Sequence, residues 1–403
     1  MREGWKEQSL ADACQFINGL WKGKVEPFIP VGVIRNTNFT KDGRLDDSDI
    51  AYLDVEAKQY SKRRLKYGDI ILEKSGGGPK QPVGRVVFFD KKEGNFSFSN
   101  FTSAIRVKEP NILDSAYLHK YLFWVYLSGR TESMQSHSTG IRNLNSDAYK
   151  AINIPVPPLP EQRRIVAILD EAFEGIATAK ANAEKNLQNA REVFESYLNA
   201  VFSQRGEGWV EKPLGEITRF IDYRGRTPKK TENGLRLITA KNIKMGYLQS
   251  NPIEFVAPDT YETWMTRGIP KMGDVLFTTE APLANIAQLN TKEKVVFAQR
   301  IIIMQPDLQN INGTFLKYSL MSQTVQSKIQ AMGTGATVKG IKARLLKTIK
   351  ISFPSLHKQM HINEILGCLQ EKTQQLESIY TRKLLALDKL NRSFIREIFS
   401  GDM

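Results

Sequence analysis

The feature that most constrains this chain is that its sequence is written twice. Glu3-Gly4-Trp5 returns as Glu207-Gly208-Trp209, Tyr67-Gly68-Asp69-Ile70-Ile71-Leu72 as Met272-Gly273-Asp274-Val275-Leu276-Phe277, and Ser138-Thr139-Gly140-Ile141 as Gly333-Thr334-Gly335-Ala336. The order is the same in both halves. The run from Ile152 to Gln162 (Ile-Asn-Ile-Pro-Val-Pro-Pro-Leu-Pro-Glu-Gln) is echoed by Ile349 to Gln359 after 197 positions, and that register carries Phe202 onto Phe399 and Ser203 onto Ser400. A chain of 403 residues exceeds one ordinary core at roughly 100–200 residues per domain. A tandem repeat divides it into two like units.

Each repeat has two parts. The first, residues 1–155 and again 206–354, mixes short β-type runs (Asp69-Ile70-Ile71-Leu72, Gly84 to Phe89, Lys294 to Phe297, Arg300 to Met304) with Gly- and Pro-marked turns, which predicts two globular α/β-mixed domains of the α+β class. The second, 156–205 and 355–403, has no proline beyond the start of its helical stretch, 160–202 or 357–399. Apolar residues recur there at steps of three and four: Ile165, Leu169, Ala172, Ile176, Ala179, Ala183, Leu187, Ala190, Phe194, Tyr197 and Val201. The shift of 197 places Thr373 and Asn391 as the polar exceptions in the second copy, where Ile379 and Leu390 widen the stripe.

A long helix with one apolar face needs a partner, and the other copy is the nearest. With domain and helix alternating along the chain and an approximate twofold between halves, the pair runs antiparallel. At 1.5 Å per residue it forms a coiled coil about 65 Å long that holds the two domains apart. Two helices packed separately on their own domains are the alternative.

The charge balance of 57 Lys+Arg against 43 Asp+Glu, a net of +14, favours a polyanionic partner, nucleic acid before a membrane surface. The first helical stretch has five bases against seven acids and the second seven against five, so the two cancel and the excess lies in the globular domains. No window of about 18 apolar residues suggests a membrane span. An acidic residue stands where a signal peptide would be apolar. Two cysteines, Cys14 and Cys368, leave no disulfide framework and read as buried small apolar residues, so the compartment reads as reducing and the protein as cytoplasmic.

Six stretches have the residue types that meet nucleic acid. Lys74, Ser75, Gly76, Gly77, Gly78, Lys80, Gln81 and Arg85 follow a strand; glycine backbone approaches a phosphate closely, Lys80 and Arg85 add charge, and Gln81 suits a base edge. Thr139, Gly140, Arg142 and Asn143 precede the final strand of the first domain, as Thr334, Gly335, Thr337 and Lys339 precede that of the second. Arg224, Arg226, Lys229 and Lys230 cluster beside Tyr223. Arg35-Asn36 and Lys241-Asn242 occupy matching positions, and Arg and Asn are the types that pair bidentately with guanine and adenine. Flexible loops and a turn asparagine are the plain alternatives at each.

Catalysis finds little support. The glycine run lacks a P-loop signature, and no Asn/Asp-Pro-Pro-Tyr/Phe motif of adenine methyltransferases occurs. His357 and His361 have no further ligand, so no metal is expected, and Asp54, Glu56 and Lys58 only faintly suggest a nuclease cluster.

Two basic domains, each closed by Ile-x-Ile-Pro-x-Pro-Pro-Leu-x-x-Gln-x-x-Ile and a long helix, resemble the specificity subunit of Type I restriction-modification systems. Ile152 to Ile165 carries the motif nearly whole, while Ile349 to Ile362 departs at Ser352, Ser355 and His357 and keeps Pro354, Leu356 and Gln359. The resemblance covers the whole chain. It implies two target recognition domains separated by paired helices, each domain reading one half of a split double-stranded DNA target. It further implies two modification subunits bringing S-adenosylmethionine, restriction subunits using ATP and magnesium for translocation and cutting, and no cofactor on this chain. A self-contained nuclease or methyltransferase, and a coiled-coil scaffold that binds DNA without sequence preference, are the other readings. The paired helices predict that changing both by four residues, about 6 Å of rise, alters the tolerated gap between half-sites and neither half sequence. Mapping the methylated sequence checks this, and an unchanged gap removes the spacer role.

Overall fold

The computed structural model describes residues 5–78, 81–138, 141–223, 228–335 and 337–400. Contacts group the chain into two units, Met1–Ala183 with Lys383–Met403, and Glu184–Arg382.

The first unit is built on a four-stranded antiparallel sheet in the order Cys14–Asn18, Thr102–Val107, Ile70–Glu73, Val86–Phe88. Side chains alternate across a strand. Ile70 and Leu72 therefore enter one core with Val86, Ile105, Tyr117 and Leu122, while Ile71 enters a second with Val87, Ala104, Ile34 and Phe98. Both faces are buried, which explains an unbroken apolar run where a one-sided strand would alternate. The helix Ser115–Leu127 covers the first face; the Asp114 carboxylate caps it, accepting from the N–H groups of Ala116 (2.8 Å) and Tyr117 (3.1 Å). A second sheet, Ala51–Glu56, Phe28–Ile34 and Phe96–Phe98, covers the other, its last pair parallel.

The second unit repeats this design. Its sheet runs Thr218–Asp222, Ile301–Pro306, Val275–Thr278, Ile286–Gln288, with Val275 and Phe277 in one core and Leu276 in another. Leu235–Ile238 pairs parallel with Val295–Phe297, and Asn312 caps the helix Gly313–Met321. In each unit a two-stranded ribbon joins the start of the repeat to its closing motif: Lys6–Ser9 with Asn153–Val156, and Val210–Pro213 with Lys350–Phe353. The repeated first and last motifs recur together because they pair.

The motif then opens the long helices Leu159–Ser203 and Leu356–Ser400, each 45 residues. Gln162 and Gln359 are fully buried at their starts. The Gln162 Oε1 accepts from the Asp114 N–H (2.7 Å) and its Nε2 donates to the carbonyls of Ile112 (2.8 Å) and Pro157 (2.7 Å). Gln359 repeats this with Asn312 N–H, Asn310 O and Pro354 O. The glutamine thus locks each long helix to the N-cap of its domain's helix.

In the first unit Ile165 and Leu169 share a core with Ile395 and Ile398, and Lys180 pairs with Asp388. In the second, Phe194, Leu198 and Phe202 share one with Leu366, and Arg191 meets Glu377 at 3.1 Å. The helices run antiparallel within each unit. The stripe departs from its expected course near the end of the first helix and along the middle of the second. Tyr197 is exposed and Leu198 and Phe202 are buried in its place, because the last turns face a domain core and a 3.6-residue helix drifts from a strict heptad. In the second helix Thr373 is buried, whereas Leu376, Ile379, Leu385 and Leu390 are exposed. Cys14 is buried, which pushes its thiol up to about 12 and makes it inert; Cys368, against expectation, is exposed because it lies off the stripe. Among the described residues no helix is long and apolar enough to cross a membrane.

Candidate nucleic-acid interface

The structure joins two loops that lie far apart in sequence. The hairpin Gln135–Ser138/Ile141–Leu144 adds Ser75–Gly77 as a third strand, with Arg142 opposite Gly77 and Asn143 opposite Ser75. The Ser75 hydroxyl donates to Asn143 Oδ1 at 2.6 Å. Lys74 sits beside them, its ammonium donating to Asn18 Oδ1 (3.4 Å) and its pKa lowered by burial. The second unit keeps a reduced form of the arrangement, in which Gly340 bridges both Thr334 and Glu280. Thr334, Gly335, Thr337 and Lys339 are all exposed there. Gly335 needs to be glycine: φ is +125°, and a Cβ would lie 2.1 Å from the Val338 carbonyl.

The three glycines have a different purpose from the one expected. A Cβ on Gly77 would sit 2.6 Å from the Gln81 carbonyl, and Gly78 and Gln81 exchange backbone hydrogen bonds at 3.0 Å. The N–H groups of Lys74 and Ser75 donate to the Phe101 carbonyl. The run therefore continues as the strand Ser75–Gly77 and a bridge between Gly78 and Gln81, and the N–H groups of Lys74, Ser75 and Gly78 are taken up by carbonyls within the domain, where a phosphate cradle would need them free.

Arg85 and Gln81 are likewise corrected. The Arg85 guanidinium forms a two-pronged pair with Glu73 (Nε–Oε2 2.8 Å, Nη2–Oε1 2.9 Å) and donates to the carbonyls of Phe39 and Asn36, both at 3.1 Å. The Gln81 amide, turned so that its oxygen faces the guanidinium, accepts from Arg85 Nη2 at 2.8 Å. Arg85 is thereby taken up within the domain, while Gln81 is tied to it through its amide oxygen and remains exposed.

Asn242 is corrected on the same ground. It is fully buried; its Oδ1 accepts from Thr239 N and Oγ1, both at 2.9 Å, and its Nδ2 donates to the Pro252 carbonyl at 2.9 Å. Its counterpart is Asn38, whose Oδ1 accepts from Arg35 N (2.9 Å) and whose Nδ2 donates to the Asp49 carbonyl (3.0 Å). Ile34 pairs with Phe98 as Ile238 does with Phe297, so Asn36 falls on Ala240 and the expected match with Asn242 was two positions off. Lys241 and Lys229 are exposed, and Lys230 pairs with Glu254 at 2.7 Å. Lys80, Thr139, Gly140, Arg224 and Arg226 lie outside the described residues. Glu56, from the faint nuclease cluster, accepts from the N–H groups of Lys24 and Val25, a structural role. Among the described residues no group of three metal-ligating side chains occurs.

Two residues on this face went unmarked in the sequence. Phe101 and Arg300 stand just before equivalent strands, and each carbonyl accepts from the strand-end residue opposite, Lys74 N (3.0 Å) and Thr279 N (2.9 Å). Only strand register pairs them, because the repeat's offset changes through the loops.

The profile of the Type I restriction modification DNA specificity domain matches residues 2–188 and 206–383. The chain is 20% identical to the EcoKI specificity subunit of Escherichia coli over 429 aligned positions, covering 100% of this chain and 89% of that protein. A structure reported for complex assembly and conformational transition of the type I R-M system superposes with a TM-score of 0.78 at 18% identity, covering 100% of this chain and 99% of that one. The crystal structure of the HsdS subunit from Thermoanaerobacter tengcongensis gives 0.62 at 17% identity, covering 100% and 98%.

Proposed function

Because the chain belongs to the family of Type I restriction-modification specificity subunits, we propose that each of its two domains reads one half of a bipartite duplex through the loop face described above. The task of this family is sequence-specific DNA recognition rather than catalysis, and a scaffold without sequence preference is not favoured. The observation that carries the half-site reading is the recurrence of one loop face at the same strand ends in both units, Ser75–Gly77 with Ile141–Leu144 and Glu280 with Thr334 and Gly340. Lys74, Arg142, Asn143, Lys229, Lys241, Thr334, Thr337 and Lys339 supply its cationic and polar groups. Phosphate contacts set the register, and side chains at base edges set the sequence.

The partners follow from the same reading. Two modification subunits bring S-adenosylmethionine and methylate one adenine in each half-site, and restriction subunits bring the ATP- and magnesium-dependent translocase. The apolar side chains left exposed on the second helix, Leu376 and Ile379 in one unit and Leu385 and Leu390 in the other, suit a subunit interface. The test is to map methylated adenines across the source genome with and without this gene. Deletion removes a single bipartite motif; a methylation pattern unchanged by deletion, in cells expressing the modification subunits, overturns the reading.

A further inference from the structure

In the second unit Arg300 has φ +75°, a left-handed conformation that costs any residue but glycine. Ala281 (φ +45°) and Ala284 (φ +67°) lie in the same region of the fold, in the turn that follows Glu280. Arg300 Nε meets Glu280 Oε1 at 2.9 Å, with both side chains nearly half exposed. An exposed ion pair adds little to stability, so the fold does not account for an arginine here. Glycine would relieve the backbone without loss to any core.

The surroundings suggest a different account. Arg300 and Glu280 line a concave patch of about 290 Å³ with Thr334, Val338, Gly340 and Lys342, the loop already placed on the DNA face. The same backbone slot in the first unit holds Phe101, exposed and 3.7 Å from a Cβ built on Gly76 in the corresponding loop. Two domains of one design thus present a guanidinium fork and an aromatic ring from equivalent positions. Both side chains are exposed, so neither domain's core fixes the chemistry of the slot, and it is free to follow the base it meets.

We propose that the slot occupied by Arg300 and Phe101 is a specificity-determining position, with Arg300 selecting a guanine in its half-site and Phe101 a thymine methyl in the other. The inference rests on the DNA-face reading above. Arginine donates two hydrogen bonds to guanine O6 and N7, whereas an aromatic ring offers no donor and packs on the thymine methyl. Glu280 is a positioning residue: it holds the guanidinium by Nε and orients the fork before DNA arrives.

The test replaces the gene in its own cells, modification subunits present, with Arg300→Ala, Arg300→Lys or Phe101→Ala, and maps methylated adenines. Arg300→Ala relaxes one guanine in one half-site, reducing discrimination at that base by about 5- to 150-fold, while the other half and the gap stay unchanged. Arg300→Lys keeps the charge but not the two-pronged geometry and relaxes the same base. Phe101→Ala relaxes one thymine in the opposite half. A motif left intact by Arg300→Ala, or fully restored by Arg300→Lys, marks a phosphate contact or a bystander and overturns the proposal. Loss of methylation with both Arg300 variants overturns it too, since that is the mark of a structural residue. A wild-type gene that yields no bipartite motif would instead strike the half-site reading.

Discussion

Arg85→Ala is expected to destabilise the first domain by about 3–5 kcal/mol, because it strands the Glu73 carboxylate in a site without a counter-charge. Glu73 is 1% exposed and the Arg85 side chain 13%, so little solvent screens the pair. The two main-chain carbonyls that Arg85 serves lose their donors as well. Denaturant unfolding of the full chain reads the effect, and removing both charges, Glu73→Leu with Arg85→Met, recovers most of it, since a buried pair is often replaceable by apolar groups of similar volume. The opposite pattern, unchanged unfolding together with a weakened half-site, would return Arg85 to the DNA face. In the second unit Thr278 and Asn285 stand where Glu73 and Arg85 do, joined by the Asn285 N–H donating to Thr278 Oγ1 (2.9 Å). The position is structural in both domains, and only the first makes it ionic.

Gln162→Ala is expected to cost on the order of 4 kcal/mol, because it leaves one N–H and two carbonyls around the buried amide unpartnered, at roughly 1–3 kcal/mol each before relaxation or water entry. The affected groups are the Asp114 N–H and the carbonyls of Ile112 and Pro157. Gln162→Glu keeps the acceptor and turns both donors into acceptors facing carbonyls, so it is no milder. The loss loosens the first domain on its helix; Gln359→Ala does the same to the second through Asn312. Hydrogen exchange at the starts of the helices Ser115–Leu127 and Gly313–Met321 separates the two effects. Each variant should deprotect its own helix alone, and a global loss in both would mean that the glutamines act through something other than these bonds.

Those glutamines show why part of the molecule was legible in advance. The motif Pro-Pro-Leu-x-x-Gln is local: a proline stretch ends a strand, a helix begins, and a glutamine one turn in reaches back. Local geometry of this kind is set by neighbours in sequence, so helices expected over 160–202 and 357–399 appear as Leu159–Ser203 and Leu356–Ser400. Apolar runs at Ile70 and Val275 became central strands for the same reason. The site was less legible. Arg85 and Asn242 have the residue types of base readers, but what occupies a side chain is its partner, and the partner of Arg85 is a carboxylate 12 residues away on another strand. Asn242 resembles Asn36 in type and neighbourhood, but the offset of the repeat changes through the loops, and strand register matches it to Asn38.

The amino-acid sequence by itself determined that there are two like domains, that each ends in a long amphipathic helix, and that the positive charge lies in the domains. Periodicity, repeats and charge are properties of residues in order, and they survive any arrangement in space. Tertiary structure alone decided which polar groups remain available on the loop face. It brought Ser75 to Asn143 and Glu280 to Gly340, closed Arg85 and Asn242 into hydrogen bonds, and gave Arg300 and Phe101 equivalent slots, each in its own unit. Availability depends on which distant groups folding brings within about 3 Å, and no local pattern encodes that distance.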